Sequence, residues 1–179
     1  MSKLYDAYIS SYRTDKPSWN EYLEIAGDLY FSPQLQQLAS FEQHFKINRL
    51  QHIRSVAYLS FLVSKKLKLD YVSTTRAATM HDLFYYDWRE DDLSHKLHGY
   101  RHPKTALKNA FYLCGTLNKK EIDIISKHMW PLTPLPPRYL ESYVVTAMDK
   151  YCATIELIYS SSEKYRTRFH KETGIGGET

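Results

Sequence analysis

Six side chains with metal-ligand chemistry are spread along this 179-residue chain: His52, the adjacent pair His81-Asp82, His102, His128 and Asp149. Four imidazoles and two carboxylates make a closed nitrogen and oxygen donor set for one or two divalent transition-metal ions. A metal beside water is a hydrolytic device, because it acidifies the water and offsets charge on a phosphoryl oxygen. A lone histidine on an apolar face is more often a core residue than a ligand, and a His-Asp dipeptide by itself is a weak signal. The question is whether the elements that carry these residues turn them inward.

Helical phase does so. The segment from Asn48 to Lys66 places Leu50, Ile53, Val56, Ala57, Phe61 and Leu62 at helical spacing, and His52 shares a face with Val56, Leu59 and Val63. Ser73-Thr74 reads as the cap of a run from Thr75 through Ala77, Ala78, Met80 and His81 to Leu83, where the two alanines leave room for a close neighbour. Pro103 reads as a helix start, with Ala106, Leu107, Ala110, Phe111 and Leu113 on the inner side and His102 at the entrance. Asn118 is a plausible N-cap for Lys119 to Met129, and Glu121 completes a capping box. His128 extends the apolar face of Ile124 and Ile125. A last helix over Arg138 to Tyr165 carries Asp149 on a flank with Val145 and Cys152, opposite a main stripe of Leu140, Val144, Ala147 and Tyr151. That helix is apolar nearly all round, and a carboxylate buried in it needs a cation or hydrogen bonds.

Pro17-Ser18 opens an earlier helix through Trp19, Tyr22, Leu23, Ile25 and Ala26, and Ser32-Pro33 restarts one through Leu35 and Leu38. The charged stretch Asp87 to Arg101 reads as a loop or a short ordered lid, Pro131 to Pro137 as an extended bridge, and the final GIGGET as disordered. No convincing strand pair stands out. The expectation is an all-α fold: a single compact helical domain, with an N-terminal helical extension over residues 1–47 packed on a core over residues 48–165, and a disordered tail over 166–179.

Composition narrows the function. With 43% hydrophobic and 25% charged residues the chain is an ordinary globular one, long enough for one real core. A net charge of +4 favours a phosphorylated small molecule over a nucleic acid, which would call for a dense basic stripe. Sixteen tyrosines, against seven phenylalanines, could line a cleft or a subunit contact, though packing at helix edges is the plainer account for most. Cys114 and Cys152 show neither a CxxC spacing nor a disulfide framework, which points to a reducing cytoplasm. No apolar run nears the ~20 residues of a membrane span, and MSKLYDAYISSYRT lacks the apolar core of a signal peptide. A cytoplasmic protein without a membrane partner is expected, with a homodimer left open.

The order of the six residues adds a resemblance. HIRSVAYLS at His52, MHD at His81-Asp82 and MDKYCATIE around Asp149 resemble the HD superfamily of metal-dependent phosphohydrolases over roughly Leu50 to Glu156. HPKTALKNA and IISKHMWPL add one histidine each, as in its binuclear six-ligand branch, which includes the bacterial symmetrical dinucleoside tetraphosphatases. The resemblance implies that His52, His81, Asp82 and Asp149 hold one metal. Asp82 would bridge to a second, bound by His102 and His128, about 3.5–4 Å away. Iron, manganese, cobalt, nickel or zinc would suit these ligands. The implied activity is hydrolysis of a phosphate ester or anhydride, in a nucleotide above all, by a metal-bound hydroxide. The enzyme alternative is a mononuclear nucleotidase, and the non-enzyme alternative a nucleotide-sensing protein of the same fold.

In one place the chain departs from that pattern. Many relatives carry a basic residue just after the His-Asp pair, where this chain reads LFYYDWRED. Either Arg54 or Lys104 would then meet the phosphate, alongside Asp82 as the third residue assigned to catalysis, or the substrate differs. His98 competes with His102 for the downstream ligand position, and His102 is preferred because Pro103 follows it. Tyr85, Tyr86, Asp87 and Trp88 could wall a pocket, with Trp130 as an aromatic platform on its rim. Arg101, Lys127, Arg138, His44, His95 and His170 are expected at the surface.

Overall fold

The computed structural model describes residues 3–44, 47–89 and 97–175. Local sequence signals set most element boundaries. Pro17 opens α2 (Pro17–Tyr30), and Ser32 caps α3 (Pro33–Gln36) by accepting from the Leu35 N–H. A 3-10 turn (Gln37–Ser40) leads to a small antiparallel hairpin, β1 (Glu42–His44) with β2 (Ile47–Asn48). This corrects the expectation of no strand pair; two strands this short leave no alternating pattern to read. The all-α class stands.

The hairpin delivers the chain into α4 (Arg49–Lys66), where Asn48 and Gln51 bond each other's backbone N–H in a capping box. Asp70 caps α5 (Tyr71–Met80) by accepting from the Ser73 backbone and hydroxyl, so this helix starts earlier than the Ser73-Thr74 cap expected of it. It also ends sooner, and His81 and Asp82 follow its last turn. α6 (His98–Cys114) begins five residues before Pro103, which lies inside it. The expected capping box of Asn118 and Glu121 opens α7 (Lys119–Lys127), and His128 directly follows it. The proline-rich bridge is a series of turns, anchored where Asp123 accepts from the Arg138 N–H and the Ser142 hydroxyl.

The single C-terminal helix expected from the sequence is two, α8 (Leu140–Ser161) and α9 (Glu163–Thr173), broken at Ser162. Residues 166–173 of the expected disordered tail are therefore helical. Phe169 is buried edge-on against Tyr12 at 5.0 Å and beside Tyr8 of α1 (Lys3–Ser10) at 6.2 Å. Within GIGGET, residues 176–179 lie outside the described residues, as do positions 90–96 of the expected loop or lid, His95 among them. The inner face of α8 also differs from the apolar stripe. Leu140 is 66% exposed, while Val145, Asp149, Cys152 and Glu156 face the core.

Helix α4 is the axis of the core and packs against α5 and α8. Beside it Trp19 stacks on Tyr22 at 4.9 Å, and Tyr22 meets Tyr58 edge-on at 5.7 Å. Tyr5, Tyr8, Tyr12, Tyr22, Tyr30 and Tyr58 are all buried, so packing accounts for many of the tyrosines. No helix among the described residues is long and apolar enough to cross a membrane. If α9 is an integral part of the core, Phe169→Ala should lower unfolding stability by about 3–5 kcal/mol in a urea titration. An unchanged midpoint would mean that α9 contributes nothing to it.

Candidate metal centre

The six residues singled out by type and spacing come together in two buried groups. His52, His81 and Asp149 form one; Asp82, His102 and His128 form the other. Within each group one ligand atom per residue lies within 4.8 Å of the others. The groups adjoin, because His81 Nε2 is 3.7 Å from Asp82 Oδ2 and 3.8 Å from Asp149 Oδ1.

The local fold aims these atoms. His81 and His128 each stand one residue beyond a helix, and each donates Nδ1–H to a carbonyl of the last turn, Ala78 at 2.8 Å and Ile125 at 2.9 Å. Carbonyls at a helix end lack intrahelical partners, so this bond satisfies the backbone and orients the ring at once. His102 donates Nδ1–H to the His98 carbonyl at 3.0 Å, and His52 donates Nδ1–H to Glu156 at 2.9 Å. With Nδ1–H committed to these partners, Nε2 is the ring atom each histidine turns into the centre, and it is a lone-pair donor there once it is unprotonated.

With its rings unprotonated at Nε2, the centre is a set of acceptors facing acceptors. His102 Nε2 and His128 Nε2 are 2.8 Å apart, and His52 Nε2 is 3.2 Å from Asp149 Oδ1. His81 Nε2 and Asp82 Oδ1 are buried without a hydrogen bond, and Asp82 Oδ1 lies in non-hydrogen-bonded contact with His102 Nε2 at 3.2 Å. Convergent lone pairs in a dry pocket repel one another unless a cation sits among them. Nitrogen and carboxylate donors suit a divalent transition metal, so these residues fit one ion in each group.

Protons are the other cations that can relieve the crowding, and the titration behaviour reflects their pull. Burial opposes charge on His52, but Glu156 and Asp149 override it and hold its pKa well above the ordinary imidazole value. Burial likewise opposes charge on His81, yet Asp82 and Asp149 raise its pKa. Burial would raise both aspartates, but His81, His102 and His128 hold Asp82 well below the usual carboxylate range, and His52 and His81 do the same for Asp149. His128 is lowered by burial, with His102 and His81 adding to the effect.

A cavity of about 390 Å³ opens onto the centre. Asp82, His102 and Asp149 line its end at the two groups, Met129, Ala153 and Leu157 supply apolar surface, and Gln43, Trp88, His98, Lys150 and Thr154 complete the lining. Trp88, His98 and His102 stack in sequence, with centroid spacings of 5.6 and 4.4 Å and interplanar angles of 18°. His98 is therefore a layer beside the centre and lies in neither ligand group, in keeping with the preference for His102. No protein-family model, curated protein or solved structure matches this chain. The case for these two groups as possible metal sites rests on their geometry alone.

The structure takes both basic residues proposed from the sequence away from the centre. Arg54 turns to the opposite side of α4, where Nε donates to the Ser11 carbonyl at 3.0 Å and the guanidinium lies 4.4 Å over the Trp19 ring. Two residues further along a helix is the wrong face for a shared target. Lys104 lines a separate groove of about 490 Å³ on the outside of α6, with Leu107, Lys108, Phe111 and Tyr112. Among the described residues Lys150 brings a cation to the centre, with Nζ 3.0 Å from Asp149 Oδ2 and 3.2 Å from the His128 carbonyl. Among the other residues assigned to a surface role, His170 is exposed.

Three further residues support the ligands from behind. Gln43 donates to Asp82 Oδ2 at 2.9 Å. Arg49, fully buried, donates from Nε to Gln43 at 3.0 Å and from its other nitrogens to the carbonyls of Phe84 and Tyr86. Glu156 holds His52. Its place seven residues after Asp149 on one helix was a usable signal; a glutamine inside a three-residue strand offers none. Because His52 and His81 attract protons, metal uptake should release protons, and affinity should rise as the pH climbs through and above the ordinary imidazole range. Calorimetry in buffers of different ionisation enthalpy reads both effects. A flat profile without proton release would show the rings already bare.

Proposed function

We propose that this protein is a metal-dependent phosphohydrolase of the HD type, cleaving a phosphate ester or anhydride in a small molecule, in the first instance a nucleotide. The observation that carries this reading is the meeting of two buried His/Asp groups, joined through His81 and Asp82, at the floor of an open cavity. Their order along the chain is that of the superfamily's ligands, and two groups favour two ions over one. Metals of this kind, when bound, supply an acidified water and charge neutralisation at phosphorus.

The chain's own residues provide the rest. Two carboxylates cannot neutralise two divalent ions, so surplus positive charge is left for an anionic ligand. Lys150 adds to it at the cavity edge, where an ammonium can hold a phosphoryl oxygen and take the position first given to Arg54 or Lys104. Asp82 is fixed between the groups by Gln43, which orients one carboxylate oxygen and leaves the other toward His102 and His128. Met129, Leu157 and Trp88 offer apolar and aromatic surface for the body of the ligand, which suits a nucleobase. A cytoplasmic location accords with the two free cysteines.

Two variants test the assignment once a phosphate-release screen over nucleotides has found a substrate. Asp82→Ala should lower kcat by at least about 100-fold while the far-ultraviolet circular dichroism stays helical. Retained turnover in a folded variant would rule out this site. Lys150→Ala should raise KM by about 10-fold with a smaller change in kcat, the pattern of lost ground-state binding. An unaltered KM would leave Lys150 without the role given to it.

A further inference from the structure

The two groups differ in what stands behind them. Three of the four ligand histidines donate Nδ1–H to a neutral backbone carbonyl; His52 donates its Nδ1–H to a carboxylate. Glu156 and His52 are 0% and 1% exposed. The second oxygen of Glu156 accepts from the Tyr8 hydroxyl at 3.1 Å, and Tyr8 in turn meets the Tyr12 hydroxyl at 3.2 Å. Glu156 therefore cannot swing into the cavity to act as a ligand itself. An imidazole backed by a carboxylate is the stronger donor at its free nitrogen, and the negative charge lies a single ring away from any bound cation.

Behind the other group stands a positive charge. Asp82 Oδ2 accepts from Gln43, and Gln43 accepts from Arg49, whose guanidinium is 0% exposed and lies 3.6 Å over the Phe84 ring. The bond from Gln43 draws electron density from the Asp82 carboxylate, and the cation behind it partly cancels the carboxylate charge. Lys150 acts in the opposite sense on Asp149, but its side chain is 40% exposed, so solvent screens it far more than the buried Glu156 and Arg49.

We propose that Glu156 and Arg49 make the centre unequal: the His52/His81/Asp149 group binds a divalent transition metal tightly, and the Asp82/His102/His128 group binds a second more weakly. Glu156 acts as a positioning residue, through His52. The centre then fills in sequence, and the second ion is the exchangeable one. This rests on the reading of the site as a metal centre, and it adds a ranking that the ligand set alone does not supply.

Calorimetric titration of the chelator-treated full chain with Mn²⁺ tests it. Two binding steps separated by at least about 10-fold in affinity are expected, and Glu156→Gln should weaken the tighter step by about 10- to 100-fold while moving the weaker one little. His128→Ala should remove the weaker step and keep the tighter. Tyr8→Phe, which removes a donor that draws electron density from Glu156, should strengthen the tighter step several-fold and serves if Glu156→Gln does not fold. Two equal steps in the wild type, or a Glu156→Gln change confined to the weaker step, would overturn the ranking, as would unchanged affinities in folded Glu156→Gln or Tyr8→Phe. Equal steps with phosphate release would overturn the ranking alone. Unequal steps without any phosphate release would remove the hydrolase reading and leave the ranking intact, and no Mn²⁺ uptake at all would remove both.

Discussion

Repulsion among convergent lone pairs is the constraint around which the rest of this structure is arranged. Four imidazole nitrogens and the oxygens of Asp82 and Asp149 meet in a buried cluster, where only a bound cation, a proton or a metal, relieves their mutual repulsion. Such a cluster is unfavourable by itself, since buried polar atoms are normally paired. It persists because α4, α5, α7 and α8 are held together by an extensive apolar core that has no part in the chemistry. The aromatic packing of Trp19, Tyr22, Tyr58 and Phe61 lies beside the same helix, α4, that carries His52.

Much of this arrangement was readable before any coordinates. The six converging residues were legible because metal chemistry admits few residue types, and because inward helical phase is a strict filter on where they fall. The capping box of Asn118 and Glu121 was legible for a related reason: two side chains must reach two particular N–H groups, which fixes both type and spacing. Helix existence was clearer than helix limits. Pro103 reads as a start because proline favours the first turn, yet α6 extends upstream of it, where His98 stacks on His102 and accepts or donates a bond with the Tyr86 hydroxyl. Tertiary contacts there outweigh the one hydrogen bond that proline forgoes.

What escaped the sequence shares a physical character. Gln43, Arg49 and Lys150 matter through partners distant in the chain or across the pocket, and nothing in their local spacing announces those partners. Hydrophobicity alone is a poor guide to the inner face of α8. Here Asp149 and Glu156 are inward because their partners are, and Leu140 is outward despite its hydrophobicity. Arg54 shows the converse. Proximity in sequence to His52 suggested a shared target, whereas a helix turns by about 200° over two residues and sends the guanidinium to the Trp19 ring.

The placement of His81 and His128 just past α5 and α7 has a consequence for the order in which ligands can arrive. Each helix ends at the centre, and aligned peptide dipoles give such an end roughly half a negative elementary charge. Two of these backbone fields reinforce the carboxylates at the same point, so the empty pocket repels anions, with Lys150 as a partial counterweight. An anion therefore meets a barrier that falls only when cations have entered. The backbone itself imposes a sequence of events, cation before anion, that no single side chain encodes.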